Sequence, residues 1–548
     1  MPPIQKGVEF RDVEGMVTDV VPQTNKSGLE KPLAGGESAL RVMIIGDSMT
    51  QGQEGDWTWR YRMWQWFQQH KIAVQFVGPY KGTLAPQPAS APSPPPLYGA
   101  SPPPSGPPDD KGGYAKDVDP AFLSNCNHFS VWGRAAATDK GLIQEVVEQN
   151  PTDLILLMLG FNDLGWFYSD ARGTIESIET LIANARAANP NLKFAVANVP
   201  HRSFMGGRDD LVENTNLFNS LLPPLIAKVT SKQSPVFLVE LERHYKCQPE
   251  GCPAAYDGLH PNGWGEFQIA HAFSETLMTD FKLGSSPLKV PARDHDSVLR
   301  KLPVPSNFKV FSSPQGVTST WDAVYGAYSY ELRVSINGGG AGFSGSSTQS
   351  NRWDARWPLE GWTYSLSVRA SAGEKIKSDY TETLSAVAKP ELAPPPCNIH
   401  AQPTETGLII TWDPPTGPYT DSIIEYNILY WEHNPKEPQW MSSAAFANSP
   451  GVISDLDPDK EYRIAMLTWN ANGEGLPFHV EESVAGKSYY IWTPYFEEKE
   501  KLKFRLQHEK EDADLGPGIV DVSPTKLPAA DGTAATANAA TRSRGNAV

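Results

Sequence analysis

Around residue 283 the chain changes its hydropathy pattern, and that change bounds what it can fold into. Before it, continuous apolar runs alternate with amphipathic stretches, the pattern of a parallel sheet covered by helices. Val42 to Ile45, Ala73 to Val77 and Asp153 to Leu159 read as strands. Trp57 to Gln69, Gly141 to Gln149 and Phe267 to Phe281 read as helices, the first with Trp59, Met63, Trp66 and Phe67 at core spacing. After residue 283, Gly284 to Leu302 is a linker rich in Pro, Ser and charge. Two segments of about 90 residues then show short alternating strands and frequent turns, as β-sandwiches require.

At 548 residues the chain has room for several cores. The expected division is an irregular leader over 1–39, an α/β domain over 40–283, the linker over 284–302, sandwiches over 303–389 and 393–490, and a tail over 491–548. Within the α/β domain a proline-rich insertion spans 83–112. Its centre, Pro86 to Pro108, holds eleven prolines, so it predicts an extended polyproline-II-like surface loop or disorder. A tolerated insertion is the plain reading, and a lid or a ligand for a partner domain are the alternatives. In the tail, Glu497 to Asp514 reads as a charged, solvated helix, and Pro517 onward reads as low-complexity disorder.

The net charge of −16 and pI near 5.2 argue against nucleic acid and anionic membrane surfaces as partners. No apolar run approaches the ~20 residues that span a bilayer. Met1 to Gly7 lacks the apolar centre of a secretion signal, which leaves cytoplasmic and extracellular locations both open. Cys247 and Cys252 are close enough in sequence to form a short disulfide, whereas Cys126 and Cys397 fall in different domains and read as unpaired. That cysteine pair has no second pair at ligand spacing, so no metal is expected there, and no cofactor elsewhere.

The chemistry centres on Gly46-Asp47-Ser48-Met49, a tight turn after a buried strand, where a serine can act as a nucleophile if a base takes its proton. Tyr256-Asp257-Gly258-Leu259-His260-Pro261 supplies a carboxylate and an imidazole three residues apart at a helix start. Gly133, in a small-residue turn, offers an accessible backbone N–H. Asn162, at the carboxyl end of the 153–159 run, offers a side-chain amide to a developing oxyanion. Taken singly, each of these segments reads more readily as a turn or a helix cap.

Taken in order, Ser48, Gly133, Asn162 and His260 resemble the four blocks of the SGNH or GDSL hydrolase family over about residues 40–283. The resemblance implies a three-layer α/β/α fold with a parallel sheet and ester hydrolysis through an acyl-enzyme. It implies Ser48 as nucleophile, His260 as general base and then acid, and Asp257 as the group orienting His260. The oxyanion hole would comprise Ser48 N–H, Gly133 N–H and the Asn162 amide. The first block carries Met49 where the family has leucine, a volume-conserving change.

In the sandwiches, Trp321 and Trp412 on early strands, and Tyr364 and Tyr462 at corners, resemble fibronectin type III modules and read as core residues. Such modules imply spacing, or binding of a polymer or a protein. The combination is similar to carbohydrate esterases that remove acetyl groups from polysaccharides. Lipases, lysophospholipases and hydrolases of small metabolites share the same blocks. A binding protein with an inert hydrolase domain is the alternative of another class. Trp57, Trp59, Trp166 and Phe167 are candidates to meet a sugar ring or acyl chain, or to join the core.

Overall fold

A computed structural model describes residues 39–101, 106–337, 344–373, 375–432, 441–457, 460, 462–477, 480–484 and 487–490. The expected leader, the charged stretch from Glu497 and the tail lie outside these residues. Contacts divide the described chain into two units, residues 39–85 with 106–299 and residues 86–101 with 300 onward.

The first unit opens with β1 (Leu40–Gly46), whose apolar residues are wholly buried from Val42 to Ile45. The chain continues through α1 (Ser48–Gln51), α2 (Thr58–Gln69), β2 (Val74–Val77), α3 (Pro120–Leu123), β3 (Phe129–Ser130), α4 (Ala136–Gln149) and β4 (Leu154–Met158). It ends with α5 (Phe161–Gly165), α6 (Ala171–Ala188), β5 (Lys193–Ala197), α7 (Asp210–Val229), β6 (Val236–Val239), α8 (Leu241–His244) and α9 (Gly263–Thr279). The strands form one parallel sheet in the order β2-β1-β4-β5-β6, with β3 pairing the end of β1 beyond β2.

Strand order reverses at β1, so right-handed crossovers place α2 on one face and α6 and α7 on the other. α9 packs on α2 and completes the first layer. Their contact carries a buried Arg62–Glu266 ion pair at 3.7 Å and a stack of Trp59 on Phe273 at 4.7 Å. This is the three-layer α/β architecture expected from the sequence. Two candidate ligand platforms belong to its core: Trp59, on the inner face of α2, is fully buried and Trp57, at the N-cap of α2, nearly so.

The register fixes where loops emerge. Gly46 lies opposite Met158 of β4 and Ser130 of β3, so the chain leaves three adjacent strands at one level of one rim. α4 begins five residues before the Gly141 expected from the sequence. The Asp163 carboxylate accepts from Ala136 N at 2.8 Å and Ala137 N at 2.9 Å, a cap supplied from a distant segment.

The second unit holds two antiparallel sandwiches. The first pairs β10-β9-β12-β13 (Ser344–Thr348, Ser329–Ile336, Thr363–Ser371 and Leu384–Val387) and β11-β8-β7 (Arg352–Asp354, Gly316–Thr320 and Lys309–Ser313). The second pairs β14-β15-β18 (Cys397–Pro403, Leu408–Asp413 and Gly451–Ile453). Its other sheet is β17-β16-β19-β21-β22 (Ser442–Phe446, Ile423–Glu432, Tyr462–Asn470, Val480–Val484 and Lys487–Tyr490), with β20 (Gly473–Glu474) on β19. Trp321 and Trp412 are buried in the two cores, as expected. The Tyr462 hydroxyl accepts from Asp457 N at 3.0 Å, and Tyr364 engages the Leu359 backbone at the same sequence separation. In the proline-rich segment, residues 86–101 form no helix or strand and are mostly exposed, but they are not a free loop. Leu97 bridges to Ala445, Tyr98 N donates to Ala445 O at 2.8 Å, and the Tyr98 ring lies 5.6 Å from Phe446.

Candidate active site

The turn after β1 is built so that Ser48 can sit at the sheet rim. A Cβ at Gly46 would fall 2.0 Å from Thr50 Oγ1, so only glycine allows the chain to double back this tightly. Asp47 caps α1 by accepting from Met49 N at 3.0 Å. Arg60, fully buried, donates to Thr50 O and Gln51 O, both at 2.9 Å, to Tyr114 Oη at 2.7 Å and to Cys126 O at 3.2 Å. A buried guanidinium satisfied by carbonyls is a rigid clamp, and here it holds the turn from below.

The second half of the site lies between α8 and α9. Asp257 Oδ1 accepts from Leu259 N at 3.1 Å and His260 N at 2.9 Å, which fixes the Asp257–His260 turn locally. His260 Nδ1 lies 2.7 Å from Asp257 Oδ2, and His260 Nε2 lies 2.9 Å from Ser48 Oγ. A carboxylate only accepts, so Nδ1 carries the proton and Nε2 presents its lone pair to the serine hydroxyl. Burial would raise the Asp257 carboxyl, but the neighbouring His260 and the two backbone N–H groups outweigh it and hold it below its ordinary value. Asp47, wholly buried, is pushed up to about 7 by desolvation, against its bond from Met49 and the charge of His260.

Asn162 follows β4. Its Oδ1 accepts from the Trp166 indole at 3.0 Å, and its Nδ2 donates to Arg134 O at 2.9 Å, so the amide is oriented and spends one of its two N–H groups on Arg134. Gly133 sits in a turn with φ of 76°, one residue after Trp132, whose N–H donates to Gln51 Oε1 at 2.6 Å. The four blocks singled out in the sequence therefore emerge along one rim: Ser48 after β1, Gly133 after β3, Asn162 after β4 and His260 before α9. Ser48 and His260 are nearly buried, and Asp257 keeps one side toward solvent.

Sequence reasoning missed the aromatic setting of the base. Trp132 stacks on the His260 ring at 4.7 Å and 18°, and Tyr256 lies at 5.7 Å and 19°, with its hydroxyl accepting from Gln53 Nε2 at 2.5 Å. The only signal was adjacency, since each ring immediately precedes a quoted block residue. Cys247 and Cys252 form a disulfide in the loop that carries Asp257 and His260, while Cys126 and Cys397 are free.

A serine, histidine and aspartate in hydrogen-bonded series at the carboxyl rim of a parallel α/β sheet is an arrangement suited to ester hydrolysis. Residues 42–273 match the GDSL-like Lipase/Acylhydrolase family and residues 393–484 match the fibronectin type III domain, so the chain carries an SGNH-type ester hydrolase domain followed by a fibronectin module. Among solved structures, a carbohydrate esterase family 3 protein from Talaromyces cellulolyticus shares 20% identity, covers 45% of this chain and 100% of its own, and gives a TM-score of 0.33. A Clostridium thermocellum family 3 carbohydrate esterase shares 18% identity over 45% of this chain and 100% of its own, with a TM-score of 0.33. A two-domain fibronectin type III segment of chicken tenascin shares 17% identity over 35% and 99%, with a TM-score of 0.15. No match was found among curated proteins. Among the described residues no helix is long and apolar enough to cross a membrane.

Proposed function

We propose that this chain hydrolyses carboxylic esters through an acyl-enzyme on Ser48, and that its substrates are acetylated carbohydrates. The observation that carries the mechanism is the series from Asp257 Oδ2 to His260 Nδ1 at 2.7 Å and from His260 Nε2 to Ser48 Oγ at 2.9 Å. His260 Nε2 takes the Ser48 proton as Oγ attacks the ester carbonyl, and Asp257 stabilises the imidazolium. Ser48 N–H, Gly133 N–H and the second Asn162 N–H receive the oxyanion, each donor worth ~3 kcal/mol in the transition state. His260 then passes the proton to the leaving alkoxide. In the second half-reaction water, deprotonated by His260, attacks the acyl carbonyl, the bond to Ser48 Oγ breaks, and His260 returns the proton to Oγ as the acid is released.

The carbohydrate reading is supported by exposed rings close to the site. Phe167, beside the Trp166 that orients Asn162, is 66% exposed, and Phe204, beside the Ser203 bonded to Gly258, is 64% exposed. Arg208 ties the two loops, lying 3.9 Å over the Phe167 ring and donating to Leu164 O at 2.9 Å. Open, planar apolar faces beside polar groups suit the stacking of sugar rings. The fibronectin module would hold or space the enzyme on a polymer or a protein surface.

Turnover of p-nitrophenyl acetate, longer acyl esters and acetylated xylan by the purified chain tests both levels. Acetyl release from xylan at a kcat/KM above that for long acyl esters is expected. A preference for long acyl chains would replace carbohydrate with lipid as the substrate class. Activity surviving Ser48→Ala would overturn the mechanism, and no labelling of folded protein by a fluorophosphonate would favour a binding role.

A further inference from the structure

We infer that the first unit contains a divalent transition-metal site, separate from the catalytic series, formed by His244, His271 and Glu275. His271 and Glu275 lie one turn apart on α9, and His244 comes from the end of α8. One ligand atom from each lies within 4.8 Å of the others. In a tetrahedral zinc site, metal–ligand distances of 2.0–2.1 Å put ligands about 3.3 Å apart, so small side-chain rotations would close the present cluster onto an ion.

The donors are prepared for that role. His271 Nδ1 lies 2.6 Å from Leu288 O. A carbonyl only accepts, so Nδ1 carries the proton and Nε2 keeps its lone pair, the outer-shell arrangement that fixes metal-binding imidazoles. His244 Nε2 is buried and comes within 2.9 Å of Glu275 Oε2, yet off the angle of a hydrogen bond. An atom drawn to a carboxylate without bonding it well is poorly satisfied by the protein alone. The two imidazole rings approach to 4.8 Å.

Room for further ligands exists beside the cluster. A cavity of about 510 Å³ is lined by His244, His271, Trp264 and Gln268, and would admit water to the remaining positions. Lys246 and Lys289 also line it; both are exposed, and Lys246 Nζ turns toward Arg243 O at 3.4 Å. Two imidazoles and one carboxylate favour zinc and its neighbours over magnesium or calcium, which prefer all-oxygen shells.

The position gives the ion a purpose. α8 and α9 flank the loop that carries Asp257 and His260, and an ion bonded to both helices would fix the loop's ends. The protein already does so with Tyr245 Oη donating to Leu259 O at 2.7 Å and Lys246 N donating to Gln268 Oε1 at 2.7 Å. A zinc ion there is a structural staple, and hydrolysis needs no step through it.

Calorimetric titration of the chelator-treated, tag-free full chain with Zn²⁺ and with Mg²⁺ tests this, read together with thermal melting. One equivalent of Zn²⁺ is expected to bind and raise the melting temperature, with no response to Mg²⁺. His271→Ala should abolish binding, and Glu275→Gln, on a half-exposed side chain that leaves the fold intact, should weaken it at least tenfold. Failure of the wild type to bind Zn²⁺, or equal binding by wild type and Glu275→Gln, would overturn the site.

Discussion

The two halves of the catalytic series are supported in different ways. Ser48, Gly133 and Asn162 leave three adjacent strands, and the groups beneath them, Arg60, Asp47 and Asp163, are buried in the same core that holds the sheet. Asp257 and His260 lie in an irregular stretch between two helices. It is secured by the Cys247–Cys252 disulfide, the Tyr245 hydroxyl on Leu259 O and Asn262, whose Nδ2 donates to Pro253 O and Ala255 O. The proposed nucleophile and oxyanion donors are therefore part of the fold, while the proposed acid–base pair is an attachment to it. Damage to the first half should cost stability and activity together; loss of the Asp257 or His260 side chain in the second should cost activity alone.

The largest separation is expected from Asp257→Asn. The amide favours the wrong tautomer of His260, with the proton on Nε2 facing Ser48, and kcat should fall about 10⁴-fold, as in other serine triads. The side chain is 42% exposed and the asparagine keeps an acceptor for Leu259 N and His260 N, so the melting temperature should shift by no more than ~2 °C. The held-down Asp257 carboxyl also sets a sign. Its stabilising bond to His260 is present above the ordinary carboxylate range and is lost only as pH falls through its lowered value. The acid limb of the pH–rate profile should therefore not report Asp257 above pH ~4. A large loss of stability in this variant would mean that the loop is part of the core.

Arg60→Met should behave in the opposite way. It keeps much of the volume but removes the donors to Thr50 O, Gln51 O, Cys126 O and Tyr114 Oη. Leaving four buried acceptors without their cation should cost about 3–5 kcal/mol, seen in denaturant unfolding, with activity lost in parallel. Normal stability with lost activity would break the comparison.

Asp47→Asn sharpens it through pH. Because Asp47 titrates at about 7 in the folded protein against an ordinary 3.8, the folded state binds the extra proton between those values. Its contribution is intact below pH 4 and is lost as pH rises through 7, at up to ~1.4 kcal/mol for each step of one in pH across that window. The asparagine keeps an acceptor for Met49 N and cannot ionise. Unfolding free energy should thus decline less from pH 4 to 8 in the variant than in the wild type. Parallel curves would mean that Asp47 stays ionised.

How much of this was legible in the sequence follows the same division. The buried run before Gly46 and the Asp257–His260 spacing are local patterns, and both ended where the residues suggested. The start of α4 was missed because its cap, Asp163, comes from another segment, and a cap seen only in three dimensions leaves no mark beside the helix it caps. Trp132 and Tyr256 against His260, Arg60 under the serine turn, and Trp166 on Asn162 were missed likewise. Trp132 meets His260 only because the fold brings two distant segments together, whereas Tyr256 on His260 and Trp166 on Asn162 are local, each four residues apart, but lie in turns and helix ends without a regular period to mark them. Trp57 and Trp59 were open between ligand and core because helical spacing alone does not say which face meets the second layer. The proline-rich stretch shows the converse, since its composition argued against helix and sheet, and residues 86–101 form neither beyond one bridge, but it could not indicate that Leu97 and Tyr98 would find Ala445 and Phe446.

The smallest expected effect tests the attached half directly. Replacing both cysteines with alanine, Cys247→Ala with Cys252→Ala, opens a loop spanning a sequence separation of 5, for which chain entropy predicts a loss of about 2 kcal/mol. In a unit of this size that lowers the melting temperature by ~4–8 °C. The bonds that aim His260 lie beyond the disulfide, in the Asp257 turn and in Tyr245 on Leu259 O, and they are untouched by the change. kcat on p-nitrophenyl acetate should therefore stay within about threefold of wild type at 25 °C, while the temperature of half-inactivation falls with the melting temperature. A kcat loss above about tenfold at 25 °C, with the fold intact by circular dichroism, would show that the disulfide aims the base as well as bracing the loop. The acid–base half would then depend on a covalent constraint, where the nucleophile half depends on packing.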